Sequence, residues 1–192
     1  PSIYDMSGMG YDGVLANGSF WKPANGGCFA LDGIDDFITV GSGRSRQPGP
    51  TGLRSFSVEM WFKVPTSFAI GAGAGQGSYN VDDWGGSNMW LLHPNGTMGS
   101  VSWTFYVNAE PAGQYNILSA STSINLAAGN WYQVVGTFSD QFTSIYVNGQ
   151  LSGQSQGGQA VIDNPFNTLV IGGDPRYDFR RMTGDIAVFN MY

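Results

Sequence analysis

Residues 130–153, NWYQVVGTFSDQFTSIYVNGQLSG, decide the fold. Trp131 to Phe138 is a run of β-branched and aromatic residues, the composition of a strand. Ser139, Asp140 and Gln141 break the run, and Ser144-Ile145-Tyr146-Val147 resumes it. Asn148-Gly149 follows, then Gln150-Leu151-Ser152-Gly153 opens a third run. An Asn-Gly pair between short apolar runs is the strongest local hairpin signal, because both central residues of a type I′ turn need a positive φ. Ile145 and Val147 fall on one face of their strand and Tyr146 on the other. A sheet of this kind cannot bury its apolar face alone, so the rest of the chain must supply a second sheet.

Working outward, residues 55–64 (SFSVEMWFKV) alternate strictly. Phe56, Val58, Met60 and Phe62 share one face; Ser57, Glu59, Trp61 and Lys63 share the other. Residues 28–40 read as a strand with an Asp-rich start. Residues 89–93 and 101–107 read as a strand pair around a turn at Pro94-Asn95-Gly96, residues 115–126 as a further apolar stretch, and residues 151–160 as a polar connection. Residues 166–173 and 184–192 give the last two strands, with residues 174–181 as a charged loop between them. Residues 65–88 are Gly-rich with little pattern, and a loop of that length in a compact domain is usually functional or disordered. The expectation is an all-β, two-sheet antiparallel jelly-roll sandwich. Its expected core is Phe56, Val58, Met60, Phe62, Val135, Ile145, Val147, Ile171, Ile186 and Val188.

Five stretches, in order, resemble one family. They are Tyr4-Asp5-Met6-Ser7-Gly8-Met9-Gly10-Tyr11-Asp12-Gly13 at the start, Phe29-Ala30-Leu31-Asp32-Gly33-Ile34-Asp35-Asp36-Phe37-Ile38, and Ser55-Phe56-Ser57-Val58-Glu59-Met60-Trp61-Phe62-Lys63. The fourth is the Trp131 to Gly149 core, and the fifth runs from Leu169-Val170-Ile171-Gly172 to Gly184-Asp185-Ile186-Ala187-Val188-Phe189. The pattern resembles the laminin G-like, concanavalin A-like lectin/glucanase superfamily. The resemblance implies the sandwich over nearly the whole chain. It does not choose among lectin, glycosidase and scaffold, all of which this fold hosts.

Composition narrows the choice. The 192 residues suit one domain, residues 1–192, with no internal repeat or linker. Starting mid-phrase at Pro1 and stopping on its last strand, the chain is compatible with a trimmed product or one domain of a longer polypeptide. A net charge of −6 with no basic cluster argues against nucleic acid. No window is apolar enough for membrane insertion. Cys28 is the lone cysteine, so an intrachain disulfide is excluded. Its expected role is that of a small buried hydrophobe. The absent disulfides fit a chain made in a cytosol. Asn17-Gly18-Ser19 and Asn95-Gly96-Thr97 are glycosylation sequons, usable only in a eukaryotic secretory pathway.

An enzyme is not expected. Glycosidases need two carboxyl groups flanking the scissile bond. The chain has two glutamates, Glu59 and Glu110, on separate elements, and Asp82 and Asp83 are adjacent and cannot act as a pair. His93 is the sole histidine and has no Ser or Cys partner by motif.

A metal is the second question. Asp32, Asp35 and Asp36 invite calcium, which takes several oxygen ligands. Aspartates at such positions also cap turns. The resemblance implies a structural calcium between the Asp32 region and an acidic residue of the last strand. The matching position here is Ala187, which leaves Asp32 and Asp185 as candidate ligands. The competing expectation is no cofactor.

Sugar binding is the sharpest positive expectation. Sugars stack on exposed aromatics while carboxylate, amide and guanidinium groups fix the hydroxyls. Residues 79–90 and 174–181 carry that mix. Trp84 and Tyr177 are the expected stacking platforms, with Asp83, Asp178 and Arg180 as hydroxyl readers. Trp90 and Trp103 are expected in the core. The opening motif and the Gly184 to Tyr192 ending also resemble lectin-like domains of phage and virus particle proteins. That resemblance implies an extracellular or virion-surface setting, with a cell-surface glycan or a virion or fibre protein as partner.

Overall fold

The computed structural model describes residues 2–18, 20–23, 26–41, 54–66, 74–77, 88–97, 100–109, 117–159, 168–174 and 177–192. Two antiparallel sheets face each other. The first contains β1 (Ser2–Ile3), β2 (Gly13–Ala16), β5 (Phe37–Val40), β14 (Thr168–Ile171), β7 (Ala74–Gly77), β8 (Asn88–Thr97), β9 (Ser100–Asn108) and β10 (Ile117–Ser121), in that spatial order. The second contains β13 (Gln150–Gln156), β12 (Phe142–Val147), β11 (Trp131–Phe138), β6 (Phe56–Lys63), β17 (Thr183–Met191), β4 (Cys28–Asp32) and β3 (Phe20–Lys22). A small hairpin of β15 (Gly173–Asp174) and β16 (Tyr177–Arg181) completes the set. The fold is the all-β sandwich that the alternation predicts.

The hairpin at Asn148-Gly149 forms as read, with φ of 49° and 77°. It joins β12 to β13. Residues 150–156 are therefore an edge strand and not a bare polar connection. A bulge between Ile145 and Tyr146 leaves Ser152 without a partner on β12. Its main-chain oxygen instead accepts from Ser123 N–H at 3.1 Å, just beyond β10. That bond ties the edges of the two sheets together on this flank.

The core lies between the sheets. Phe56, Val58, Met60 and Phe62 are all buried there, as expected. Phe56 meets the rings of Phe105 and Phe138 at 5.8 and 5.9 Å, and Phe62 meets Trp103 edge-on at 4.9 Å. Trp90 and Trp103 are fully buried, so they are core residues and not platforms. Ile145, Val147, Ile171 and Ile186 are buried as well.

Several expectations are corrected. Val135 faces outward, because Val134, Gly136 and Phe138 take the inner positions of β11. Val188 is 39% exposed. A bulge at Ala187 shifts the register between Ile186 and Val188, so Phe189 turns inward opposite Met60. A bulge inserts one residue and exchanges the faces beyond it. Residues 28–40 are two strands in opposite sheets, with the Asp-rich segment as the turn between them.

Pro94, Asn95 and Gly96 are not a turn; they pair with Trp103, Ser102 and Val101 as β8 continues. Proline is tolerated there for a specific reason. Trp103 spends its main-chain N–H and C=O on Thr122, on its other side. The Pro94–Trp103 pair is therefore a non-hydrogen-bonded one, and the missing N–H costs no bond to β9. Asp174 and Tyr177–Arg181, expected in an open loop, belong to the paired strands β15 and β16. Trp84 and Asp83 lie outside the described residues. Tyr177, Asp178 and Arg180 are described by their β16 backbone only.

Candidate ligand-binding face

The alternation that buries Phe56 to Phe62 sends Glu59 and Trp61 to the outer face of the seven-stranded sheet. The sheet's register then gathers polar side chains around Glu59. Gln133 on β11 lies opposite Trp61, and Asn190 on β17 lies opposite Glu59. The Glu59 carboxylate accepts four hydrogen bonds. Oε1 receives Gln133 Nε2 at 2.7 Å and Trp61 Nε1 at 3.2 Å. Oε2 receives Asn190 Nδ2 at 3.0 Å and Tyr192 Oη at 3.3 Å. Three strands and the residue after β17 therefore converge on one anion.

This environment fixes the charge state. Donation by Gln133, then by Asn190, holds the Glu59 carboxyl below the ordinary glutamate range, against the opposing effect of partial burial; Trp61 and Tyr192 add to it. Such a group stays ionised at neutral pH. A glycosidase acid needs the reverse, a carboxyl whose pKa is raised. His93 belongs to the other sheet.

Apolar surface surrounds the carboxylate. Trp61 is 37% exposed and faces Val188 across the β6–β17 ladder. Tyr192 is 72% exposed. The face thus offers an indole, a phenol and a branched aliphatic beside a fixed anion and two amides. Chemically, it can stack an apolar ring face. With the Glu59 acceptor sites filled by four donors, the amide oxygens of Gln133 and Asn190, which Glu59 orients, are the groups that can accept from hydroxyls at its edge.

Asp32 and Asp185 lie on the neighbouring strands β4 and β17. Asp185 lies opposite Ala30, and its carboxylate is ion-paired with Lys22 Nζ at 2.8 Å. Asp32 groups with Asp35 and Asp36, one carboxylate oxygen from each lying within 4.8 Å of the others. The Asp32 and Asp36 carboxylates accept main-chain bonds at the turn. Asp36 Oδ1 accepts from Gly18 N–H at 2.8 Å and its Oδ2 from Asp32 N–H at 3.0 Å. Asp32 Oδ1 accepts from Ile34 N–H at 2.8 Å. Calcium takes six to eight oxygens, and this donor set fits a capped turn better than such a cage. The Cys28 thiol is buried and pushed up, first by burial and then by the charge of Asp185, so it is not a poised nucleophile.

Sequence reasoning placed Glu59 and Trp61 on one outward face but weighed Glu59 only as a possible catalytic acid. Gln133, Asn190 and Tyr192 were missed. The readable signal was the acid and aromatic two residues apart on a strictly alternating strand.

A comparison with curated proteins finds no match. Among solved structures, the binding domain of Paraclostridial Mosquitocidal Protein 1 superposes with a TM-score of 0.70 at 14% identity, covering 98% of this chain and 45% of that one. Domain 4 of AbnA, a GH43 extracellular arabinanase from Geobacillus stearothermophilus in complex with arabinotriose, gives 0.67 at 16% identity over 99% and 86%. The botulinum neurotoxin serotype D ligand binding domain, in complex with N-acetylneuraminic acid, gives 0.68 at 18% identity over 98% and 44%. The chain spans less than half the length of the two toxin domains. At these identities the likeness is one of fold. The family model described as the concanavalin A-like lectin/glucanases superfamily matches residues 32–192, most of the chain, and the chain belongs to that superfamily.

Proposed function

We propose that this domain is a non-catalytic carbohydrate-binding module whose sugar rests on the outer face of the seven-stranded sheet. The observation that carries the reading is Glu59, ionised and held by four donors, beside the partly exposed ring of Trp61. A sugar presents an apolar C–H face and a hydroxyl edge, and this surface offers a partner to each. Two of the similar folds are bound to arabinotriose and N-acetylneuraminic acid, which supports the ligand class. The same reading puts the domain in an extracellular or particle-surface setting, where a virus or phage appendage would use it to attach to cell-surface glycans.

The second reading is a structural or assembly module of a virion or fibre that binds protein and not sugar. A glycan array with the intact domain separates the two. Selective binding that Trp61→Ala abolishes, with the fold retained, supports the lectin reading. A blank array favours the assembly module.

A further inference from the structure

The C-terminal half of β17 has one bare edge. Ser57 and Tyr192 exchange both main-chain hydrogen bonds, at 3.0 and 2.9 Å. In an antiparallel ladder such pairs recur at every second residue. Asn190, opposite Glu59, is therefore of the same kind. Phe189 and Met191, opposite Met60 and Val58, direct their main-chain N–H and C=O groups away from β6.

On that other side, β4 pairs with β17 only over Thr183 to Ile186. The chain leaves the sheet at Gly26 and Gly27, with φ of 87° and 97°. Trp21 packs so closely over Gly27 that any Cβ there would collide with the indole. The position therefore requires glycine, and the β4–β17 ladder ends at Phe29 opposite Ile186. Among the described residues, neither Phe189 nor Met191 has a strand partner on this flank.

A cleft of about 890 Å³ opens beside the bare edge. Its floor is the inner surface of both sheets, including Ile38, Ile171 and Ile186. Its rim carries Met6, which is 94% exposed, together with Met9 and Tyr4. The turn that presents them is built on Asp5, whose carboxylate accepts from Ser7 N–H at 2.9 Å, Ser7 Oγ at 2.7 Å and Tyr11 N–H at 3.0 Å. Asp5 is the one side chain among the described cleft residues that carries a formal charge.

We propose that this edge and cleft receive an extended segment of a partner polypeptide by strand addition, apolar at alternate positions and carrying a lysine or arginine where it passes Asp5. Unpaired main-chain donors and acceptors at strand spacing match another backbone, and neither a sugar nor an acyl chain repeats in that way. Alternate side chains of the added strand enter the cleft, where flexible methionines adapt to their shape. The lone carboxylate supplies the charge complementarity. This surface borders the sugar face and shares Val188, Asn190 and Tyr192 with it, but its bonds are made by the main chain of Phe189 and Met191 and do not depend on the sugar reading.

The test uses the intact domain and the peptide acetyl-Lys-Ser-Val-Ser-Val-Ser-Val-amide, in which the lysine shares a face with the valines. Two further forms are N-methylated on one or the other alternate set of amides. Amide exchange at Phe189 and Met191 slows when the unmodified peptide is added. One methylated form binds about ten-fold more weakly and the other binds as before, because only one set of amides faces β17. Asp5→Asn weakens the lysine peptide and leaves a lysine-to-serine peptide unchanged. Unaltered exchange at Phe189 and Met191, or equal effects of the two methylation sets, overturns the proposal. Protection that grows with protein concentration and without peptide also overturns it, in favour of a second copy of the chain.

Discussion

Gln133 Nε2 lies 2.7 Å from Glu59 Oε1, a contact between residues 74 positions apart that sits among three other bonds to the same carboxylate. Every bond in this group is donated to Glu59. Glu59→Gln replaces one oxygen by an amide N–H2, which must face donors on either side. The variant should lose about 1–2 kcal/mol of stability, since one or two donors are left facing a donor. Urea denaturation of the two proteins measures it, and equal midpoints would show that the bonds are dispensable.

The same carboxylate gives a pH dependence. Its folded pKa lies below the ordinary glutamate value of 4.5, and the first cause is donation by Gln133. Between the folded and unfolded values the unfolded chain binds more protons, so stability rises with pH in that window. The contribution is complete above the ordinary glutamate value and is lost as pH falls through the depressed one. Melting temperatures taken from about pH 6 to about pH 3 should fall less steeply in Glu59→Gln than in the wild type. Parallel curves would assign the acid sensitivity elsewhere.

Gly136 faces Phe105 across the core, and a Cβ on Gly136 would stand 2.5 Å from the ring. Neighbouring Phe56 and Phe138 leave that ring little room to retreat. Gly136→Ala should cost about 1–3 kcal/mol by overpacking. Adding Phe105→Leu to it should cost less than the sum of the two single changes, which a double-mutant cycle reads directly.

Two residues separate burial from mere apolarity. Ile145 is fully buried and Val188 is 39% exposed. Ile145→Ala should cost about 2–5 kcal/mol. Val188→Ala should cost less than about 1 kcal/mol. Comparable losses would place Val188 back in the core.

These cases show how much the sequence can carry. β6 was legible because its period of two is unbroken from Phe56 to Lys63, and the Asn148-Gly149 turn because its backbone needs that chemistry. Val188 was misplaced because one extra residue at Ala187 inverts the faces, and neither Ala187 nor its neighbours carry a bulge signature. Val135 was misplaced because its inner neighbour Gly136 carries no apolar side chain to mark the buried face. Asn190 joins Glu59 from 131 positions away, through a register that only the assembled sheet defines. The expected platforms Trp84 and Tyr177 were chosen by composition, which marks a residue's chemistry but not its neighbours.

The sugar-binding face gives the last prediction. If sugar rests on the outer sheet, Trp61→Ala removes the stacking surface and should weaken glycan binding by about five-fold to about 150-fold, taking the about 1–3 kcal/mol of a base stacked on an aromatic as the scale. Trp61 is partly exposed and outward, so the melting temperature should move little. Trp84→Ala and Tyr177→Ala, in the segments that composition singled out, should leave binding unchanged on this reading. Isothermal titration of the four proteins against a glycan selected on the array decides between face and loops. Loss of binding in Trp84→Ala or Tyr177→Ala, with Trp61→Ala behaving as wild type, would move the site to the loops and leave Glu59 as a purely structural anion.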